Sequence, residues 1–244
     1  MNMQNWPRQH QAIKDLIAYL DETLPKMNSE NSSGSVFIGA AALYRCNRYL
    51  RAIDDAVSGG IGDTAGGNLR TLYETWIVGH SLLLGEIEEA EKLWGDARHL
   101  AQKVINSTGA DITFPDETPE AAPYKNTEAL AHALGKRLES DDPENATMPM
   151  HCYNYIYRSE SLSSAHANHT ATTQYARLVG ELGVIGLGGR NEGCEWRTAL
   201  AGNITAYFAQ RLFKAAGIDA TRLEEINEML DPNFDDLPRT EEVK

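Results

Sequence analysis

The chain has 244 residues, of which 42% are hydrophobic and 23% charged, a composition that is typical of a globular protein and excludes a disordered or fibrous one. Its formal net charge of -13 at pH 7 excludes nucleic-acid binding through bulk charge, so any contact with RNA or DNA must be local. Three scattered cysteines exclude a disulfide framework, and the N-terminus and apolar runs predict neither secretion nor a membrane span. We therefore expect a cytoplasmic protein.

The first two helices are predicted from apolar residues that recur every three or four positions. The first helix extends from Pro7 to Pro25, and the polar residues 28–35 form a loop after it. The second helix is marked from Ala42 onward and ends at the glycine pair 59–60. Its other side carries a row of three arginines: Arg45, Arg48 and Arg51. Such a row is usually a solvated helix face, but in so acidic a chain it is the best candidate for a local phosphate-facing patch.

The third and fourth helices are predicted to pack as an antiparallel pair. Asp63 is suited to cap the third helix, whose wide apolar face continues to Leu84. The fourth helix follows almost at once, from Glu86 to about Asn106, and so short a connection joins antiparallel neighbours. Residues 111–124, which are rich in Pro, Glu and Thr, then form an exposed excursion within the domain.

The second half of the chain is also predicted to be mainly helical. Thr127 opens a short helix that stops at residues 140–143, and a second polar excursion follows it. Residues 151–166 are helical at first, with a bend or break near their serines, because serine favours local hydrogen bonds to the backbone. Residues 173–182 are predicted to be a further helical stretch.

The predicted fold class is all-α. Residues 183–193 are too rich in glycine for a helix interior, and we interpret them as a loop with room for a short extended piece. A long helix from Trp196 to Gly217 and a last one before Pro232 complete the chain. Residues 1–232 are therefore expected to form a single helical bundle-like domain of about seven to nine helices with two polar excursions, and residues 233–244 a polar acidic tail.

Residues 157–169 hold the densest concentration of reactive side chains, among them Arg158, His166 and His169. A guanidinium can hold a phosphate in a bidentate fork, while an imidazole, which titrates near neutral pH, moves a proton. Such a set suits metal-independent cleavage of a phosphodiester. The hypothesis requires a bend between Arg158 and His166 or a second subunit, because a straight helix would separate these residues by about 12 Å.

Arg70 and Glu74 lie four residues apart on the predicted third helix, so their side chains can meet on one face. The sequence leaves open whether they form an exposed ion pair or a partly buried pair that lines a cleft beside the apolar face. His80, on the same helix, is predicted to be a core histidine with a backbone or side-chain acceptor.

Two further interpretations of the histidines remain open. His166 and His169 are three residues apart, which allows both to bind one metal ion, with a third ligand supplied by folding: Cys152, His151, Glu160 or Glu74. Alternatively, they satisfy backbone groups where a helix breaks. Nothing in the sequence fixes the geometry of a metal site, and residues 183–193 do not match a nucleotide-binding loop. No metal or cofactor is therefore predicted.

Residues 68–75, with Tyr157-Arg158 and the later segment 162–166, resemble a family of bacterial helical proteins known as a domain of unknown function. Members of that family carry R-x-x-x-E on one helix, then Y-R and L-S-x-x-H on a later one. The family is similar to the HEPN superfamily, whose active members are dimeric ribonucleases of toxin–antitoxin and phage-defence systems, with an arginine four to six residues before a histidine. Here seven residues separate Arg158 from His166.

The resemblance implies a metal-independent endoribonuclease of a toxin or phage-defence type that acts on RNA as a homodimer and has an antitoxin-type protein partner. Arg158 would then bind phosphate and His166 would act as acid or base, with Arg70 and Glu74 as orienting residues and His169 as a substitute or partner. The alternative hypothesis is a non-catalytic helical interaction or ligand-sensing protein, which the acidic charge and the absence of a tight catalytic motif favour.

Overall fold

The computed structural model describes residues 6–27, 34–85, 126–158, 176–179, 184–187 and 194–230, and most of them are helical, which confirms the all-α class. This part of the chain contains seven α-helices: α1 (Trp6–Thr23), α2 (Gly34–Ser58), α3 (Ala65–Leu84), α4 (Thr127–Asp141), α5 (Met148–Cys152), α6 (Glu195–Ala216) and α7 (Thr221–Leu230). Three short 3-10 turns accompany them: Leu24–Lys26, Gly62–Thr64 and Pro143–Asn145. A π-helical segment, Tyr153–Arg158, continues α5.

The core lies where α2, α3 and α6 meet. Trp76 of α3 and Phe208 of α6 are fully buried there. Helices α2 and α3 run antiparallel, since Cys46 faces Leu72, with Sγ 3.8 Å from the carbonyl oxygen, while Gly79 faces the earlier residue Ala42. Glycine at position 79 allows this close approach, because a Cβ there would lie 2.3 Å from that of Ala42.

Helices α1, α6 and α7 pack around one end of this core. Gln9 of α1 donates a hydrogen bond from Nε2 to the carbonyl oxygen of Leu230, at a distance of 3.2 Å, and so ties α7 to the start of the chain. The predicted end of α6 is confirmed, because Gly217 adopts a left-handed conformation with φ of 66° that glycine accepts without strain.

Helix α4 is joined to α6 by polar contacts at its C-terminal end. Its N-terminus is capped by Asn126, whose side chain accepts a hydrogen bond from the backbone N–H of Ala129 at 2.9 Å. At the other end, Tyr207 donates to the Asp142 carboxylate at 2.9 Å, and Arg211 pairs with Asp141. These contacts fix the C-terminal end of α4 against α6.

Three local predictions are wrong. Helix α2 begins at Gly34, so the last residues of the expected loop are helical. Asp63 does not cap α3: it lies within the 3-10 turn Gly62–Thr64, which makes Thr64 the residue before the helix. Residues 173–182 were expected to be helical, but Ala176–Val179 forms a strand.

That strand pairs antiparallel with Val184–Leu187, with Ala176 opposite Leu187 and Val179 opposite Val184. Branched aliphatic residues favour extended backbone, and pairing between the two segments outweighs the helical spacing of the first. The predicted fourth helix (86–106), the excursion (111–124) and the tail (233–244) lie outside the described residues. Among the helices that the structure describes, none is long and apolar enough to cross a membrane.

Candidate functional site

Helix α3 brings Arg70 and Glu74 together, as their spacing predicts. Arg70 Nε lies 3.3 Å from Glu74 Oε1, and the two side chains are 19% and 38% exposed. The pair is therefore partly buried rather than fully exposed, while a cleft beside it stays a prediction. Glu74 keeps contact with solvent, whereas Arg70 is held mainly by protein groups.

Tyr157 completes a network with this pair from a position 87 residues further along the chain. Arg70 Nη2 donates a hydrogen bond to the Tyr157 hydroxyl at 3.0 Å, and the guanidinium carbon lies 4.3 Å from the centre of the tyrosine ring. A guanidinium stacked on an aromatic face is stabilised by the ring quadrupole as well as by the hydrogen bond. The charge and orientation of Arg70 are thus fixed by a carboxylate, a hydroxyl and a ring.

The Tyr157 ring is in turn stacked on Tyr153, with centroids 5.2 Å apart and planes at 17°. The Tyr153 hydroxyl donates to the Glu128 carboxylate at 3.4 Å, and burial followed by the charge of Glu128 raises the pKa of Tyr153. Behind them, the buried Tyr73 donates to the carbonyl oxygen of Pro149 at 3.1 Å, and burial raises its pKa as well. Tyr153 and Tyr73 therefore stay neutral and act as hydrogen-bonding supports.

Arg158 lies beside this network but outside it. It is exposed, and its Nη1 donates to the Asn154 side-chain oxygen at 3.4 Å. In the part of the chain that the structure describes, neither a hydrogen bond nor an ion pair joins Arg158 to Arg70 or Glu74. Its positive charge nevertheless acts on Tyr153, whose pKa it lowers against the larger effect of burial.

The segment that carries Arg158 is π-helical. Tyr153–Arg158 makes wider turns than an α-helix, and such turns are frequent at functional sites because they redirect side chains. The sequence indicates a helix here but gives no sign of the wider turn. His166, His169 and the bend expected between Tyr157 and His166 lie outside the described residues.

Of the metal ligands considered from the sequence, His166, His169 and Glu160 lie outside the described residues. Across the described ranges, no group of three His, Cys, Asp or Glu side chains is placed to hold a metal ion. Cys152 is buried, and burial raises the pKa of its thiol to about 12, which keeps it protonated and a poor ligand. His151 is exposed.

His80 is a core histidine, as predicted, but without the predicted acceptor. It is fully buried, and neither ring nitrogen has a hydrogen-bond partner among the residues described. Its ring is instead enclosed by aromatic neighbours at centroid distances of 5.4 to 5.9 Å: Trp76, Tyr207 and Phe208. Burial, with a smaller effect of the positive charge of Arg211, lowers its pKa to about 3.

The sequence placed Tyr157 in the reactive segment and in the Tyr157-Arg158 motif but did not indicate its contact with Arg70, and it did not indicate Tyr153 as part of the site. Their spacing of four residues on a helix was the available signal, since it places both rings on one face. Comparisons of the chain with protein-family models, with curated proteins and with solved structures find no match to any of them.

Proposed function

We propose that this protein is a metal-independent endoribonuclease that acts on RNA as a homodimer. The observation that carries the proposal is the placement of Arg158, an exposed guanidinium on a π-helical turn whose hydrogen-bond partner among the described residues is the neutral amide of Asn154. Its positive charge is available to a phosphate, and a guanidinium can hold two phosphate oxygens at once. The neighbouring residue, Tyr157, is fixed by Arg70 and Tyr153.

The contacts of the two arginines support different roles for them. Arg70 is already paired with Glu74 and Tyr157, so we assign it to positioning the segment that carries Arg158. Arg158 is the proposed phosphate ligand. In the reaction that we propose, His166 takes the proton from the ribose 2′-hydroxyl, whose oxygen attacks phosphorus while the bond to the 5′-oxygen breaks. His169 is the second imidazole in the proposal and donates the proton that the leaving 5′-oxygen takes up; where it substitutes for His166 as the base, water supplies that proton.

The test is cleavage of total RNA in EDTA by the purified full-length protein and by three variants. We expect wild type and the exposed control Lys136→Ala to cleave, and His166→Ala to be slower by about 100-fold or more, the usual contribution of an acid or base. Arg158→Ala should be comparably slow. Equal cleavage by wild type and His166→Ala contradicts the proposal, as does the absence of cleavage by wild type. Cleavage that occurs only without EDTA favours a metal-dependent hydrolase that uses His166 and His169.

A toxin or phage-defence role with an antitoxin-type partner belongs to the same proposal. Induced expression of the wild-type chain should then arrest bacterial growth, whereas His166→Ala should not. Light scattering on the purified protein measures its oligomeric state. A monomer that still cleaves RNA would contradict the homodimer.

The second candidate function is a non-catalytic helical interaction or ligand-sensing protein. One observation favours it: within the described ranges, three of the four exposed large hydrophobic side chains are Phe37, Ile38 and Tyr44, all on α2. This hypothesis predicts a stable partner and no turnover. RNA cleavage that depends on His166 would exclude it.

A further inference from the structure

The first half of α2 has apolar side chains on two opposite sides. Val36 and Leu43 point into the core and are almost completely buried. Phe37, Ile38 and Tyr44 point outward and are 46%, 43% and 43% exposed. Single exposed apolar residues are common, but three within about two turns of one helix form a patch of the kind that marks an interaction site.

The outward residues follow the spacing of a helix-packing surface. Phe37, Ala41, Tyr44 and Arg48 lie at intervals of four, three and four residues, so they form one line along the exposed side of α2. Phe37 and Tyr44 are about 10 Å apart along the axis, with the small exposed side chain of Ala41 between them. A large side chain from a second helix fits over Ala41.

The charge of this face is opposite to that of the whole chain. Residues 34–53 contain three arginines and no Asp or Glu, although the chain carries a net charge of -13. Arg51 is already paired with Asp21. Arg45 contacts the neutral Tyr49, with Nη2 3.4 Å from the hydroxyl and the guanidinium carbon 5.6 Å from the ring centre. Arg48 is exposed and has no carboxylate partner within the described ranges.

We propose that the outer face of α2 docks an acidic amphipathic helix of a partner protein. The apolar side of that helix would pack on Phe37, Ile38 and Tyr44, and its carboxylates would pair with Arg45 and Arg48. Helices that bind in this mode use apolar anchors at three- and four-residue spacing, which matches the line on α2. The inference does not depend on ribonuclease activity.

Two other occupants fit the face less well. A second copy of this chain would bring the same arginines to a symmetric contact but no carboxylate, because residues 34–53 contain none. Single-stranded RNA would use the rings of Phe37 and Tyr44 for stacking, but Ile38 and Ala41 offer no aromatic surface for a base. The acidic helix uses all of these side chains.

The test measures fluorescence anisotropy of two labelled synthetic helical peptides with the full-length protein. Both peptides carry leucine at three- and four-residue spacing on one face, and they differ only in having Glu or Gln at the flanking positions. We expect the Glu peptide to bind at least about tenfold more tightly, a difference of about 1.4 kcal/mol. Equal affinity for the two peptides, or no binding of either, overturns the proposal.

Variants locate the binding site. Arg45→Glu combined with Arg48→Glu should weaken binding of the Glu peptide by at least about tenfold, and Tyr44→Ser should do so by a similar factor. The charge reversal Lys136→Glu on α4 is the matched control and should change nothing. Because all of these side chains are exposed, thermal unfolding should show that each variant is folded.

Two further measurements distinguish the other occupants. If a labelled oligouridine binds more tightly than the Glu peptide and the same variants lose this binding, single-stranded nucleic acid is the occupant of the face, and the proposal is overturned. A dimer in light scattering that Tyr44→Ser dissociates would identify a second copy as the occupant, and this too would overturn it. If the double charge reversal leaves the affinity for the Glu peptide unchanged, the peptide binds elsewhere on the protein, and this result overturns the proposal.

Discussion

The two halves of α3 are packed in contrasting ways, although they belong to one continuous helix. The C-terminal half, around Gly79 and His80, is buried against α2 and α6, and Phe208 contacts both residues. The N-terminal half presents Arg70 and Glu74 to Tyr157 at a half-exposed surface. The C-terminal half has almost no freedom to change in volume or charge, whereas the N-terminal half contains polar groups that keep contact with solvent.

This contrast separates residues that hold the fold from residues that are available for chemistry. A buried imidazole with aromatic neighbours and a pKa of about 3 stays neutral and cannot serve as an acid near neutral pH. The pair of Arg70 and Glu74 at the other end of the helix keeps contact with solvent and is linked through Tyr157 to the segment that carries Arg158. Substitutions in the two halves should therefore differ in what they change.

The largest effect is expected at Gly79. In Gly79→Ala the new methyl group would lie 2.3 Å from the Cβ of Ala42 and 2.9 Å from Cζ of Phe208, so α2 and α6 must move away. Overpacking of this kind lowers the free energy of unfolding by about 2 to 3 kcal/mol. Gly67→Ala is the matched control, since nothing lies within 4 Å of its added Cβ. Urea unfolding should show a small gain for that variant, because alanine favours a helix. Equal stability of the two variants would refute the close packing.

The next effect is the pH dependence that His80 imposes. The unfolded chain binds a proton on this imidazole below pH 6.5, its ordinary pKa, whereas the folded chain does so only near pH 3. Stability is therefore full above pH 6.5 and is lost as the pH falls from 6.5 towards 3. Between pH 7.5 and 5.5, His80 should account for a loss of about 1.4 kcal/mol in the free energy of unfolding.

Urea unfolding of wild type and His80→Phe at both pH values measures this contribution. The variant cannot titrate at position 80, so its stability should fall less with pH than that of wild type. His132→Gln, which removes an exposed imidazole on α4, controls for the loss of a histidine and should keep the wild-type slope. An unchanged slope in His80→Phe would mean that His80 is hydrated or protonated in the folded protein.

The sequence predicts the helices well where apolar periodicity and a stop signal agree. The first helix, bounded by Pro25, and the long helix that ends at Gly217 are confirmed, because proline cannot continue an α-helix and glycine accepts the left-handed conformation that ends one. The strand Ala176–Val179 was missed, since four residues are too few to show a period and the strand depends on pairing with a second segment, Val184–Leu187. Asp63 was misplaced because a 3-10 turn moves the helix start by a residue or two.

The site could be predicted only where it is local. Arg70 and Glu74 are four residues apart, so helix geometry alone brings them together. Tyr157 is 87 residues from Arg70, and no local pattern indicates a contact over that separation. The missing acceptor of His80 is also a result of packing, because aromatic rings occupy the space around the imidazole.

In the N-terminal half of α3, Arg70→Met should have a moderate effect on the free energy of unfolding. Methionine keeps the apolar stem but loses the contacts with Glu74 and with the hydroxyl and ring of Tyr157. We expect a decrease of about 1 kcal/mol in the free energy of unfolding. Tyr157→Phe should cost less, since it keeps the stacking on Tyr153. Additive effects in the double variant, measured by urea unfolding, would mean that the two side chains do not act as a unit.

The smallest effect on stability is expected for Arg158→Ala. This variant is compared with Arg70→Met, which should lower the free energy of unfolding more. Arg158 is exposed, and its hydrogen bond among the residues described is to Asn154, so the free energy of unfolding should change by less than about 0.5 kcal/mol. The proposed function nevertheless makes it the phosphate ligand, and loss of RNA cleavage without loss of stability is the combination that distinguishes a binding group from a supporting one. Arg158→Lys should recover part of the activity, because it restores the charge but not the two-pronged contact.

The kinetic form of that loss shows when Arg158 acts. If the guanidinium binds the phosphate equally in the ground state and the transition state, Arg158→Ala raises KM and leaves kcat unchanged. If it contacts the oxygens that gain charge as the phosphorus is attacked, kcat falls and KM changes little. Since Arg158 is held by one neutral amide, whereas Arg70 is held by a carboxylate and a hydroxyl, we expect Arg158 to adjust to the charge as it develops, and kcat to fall. Steady-state kinetics on a short RNA, with Lys136→Ala as control, would contradict this if only KM changed.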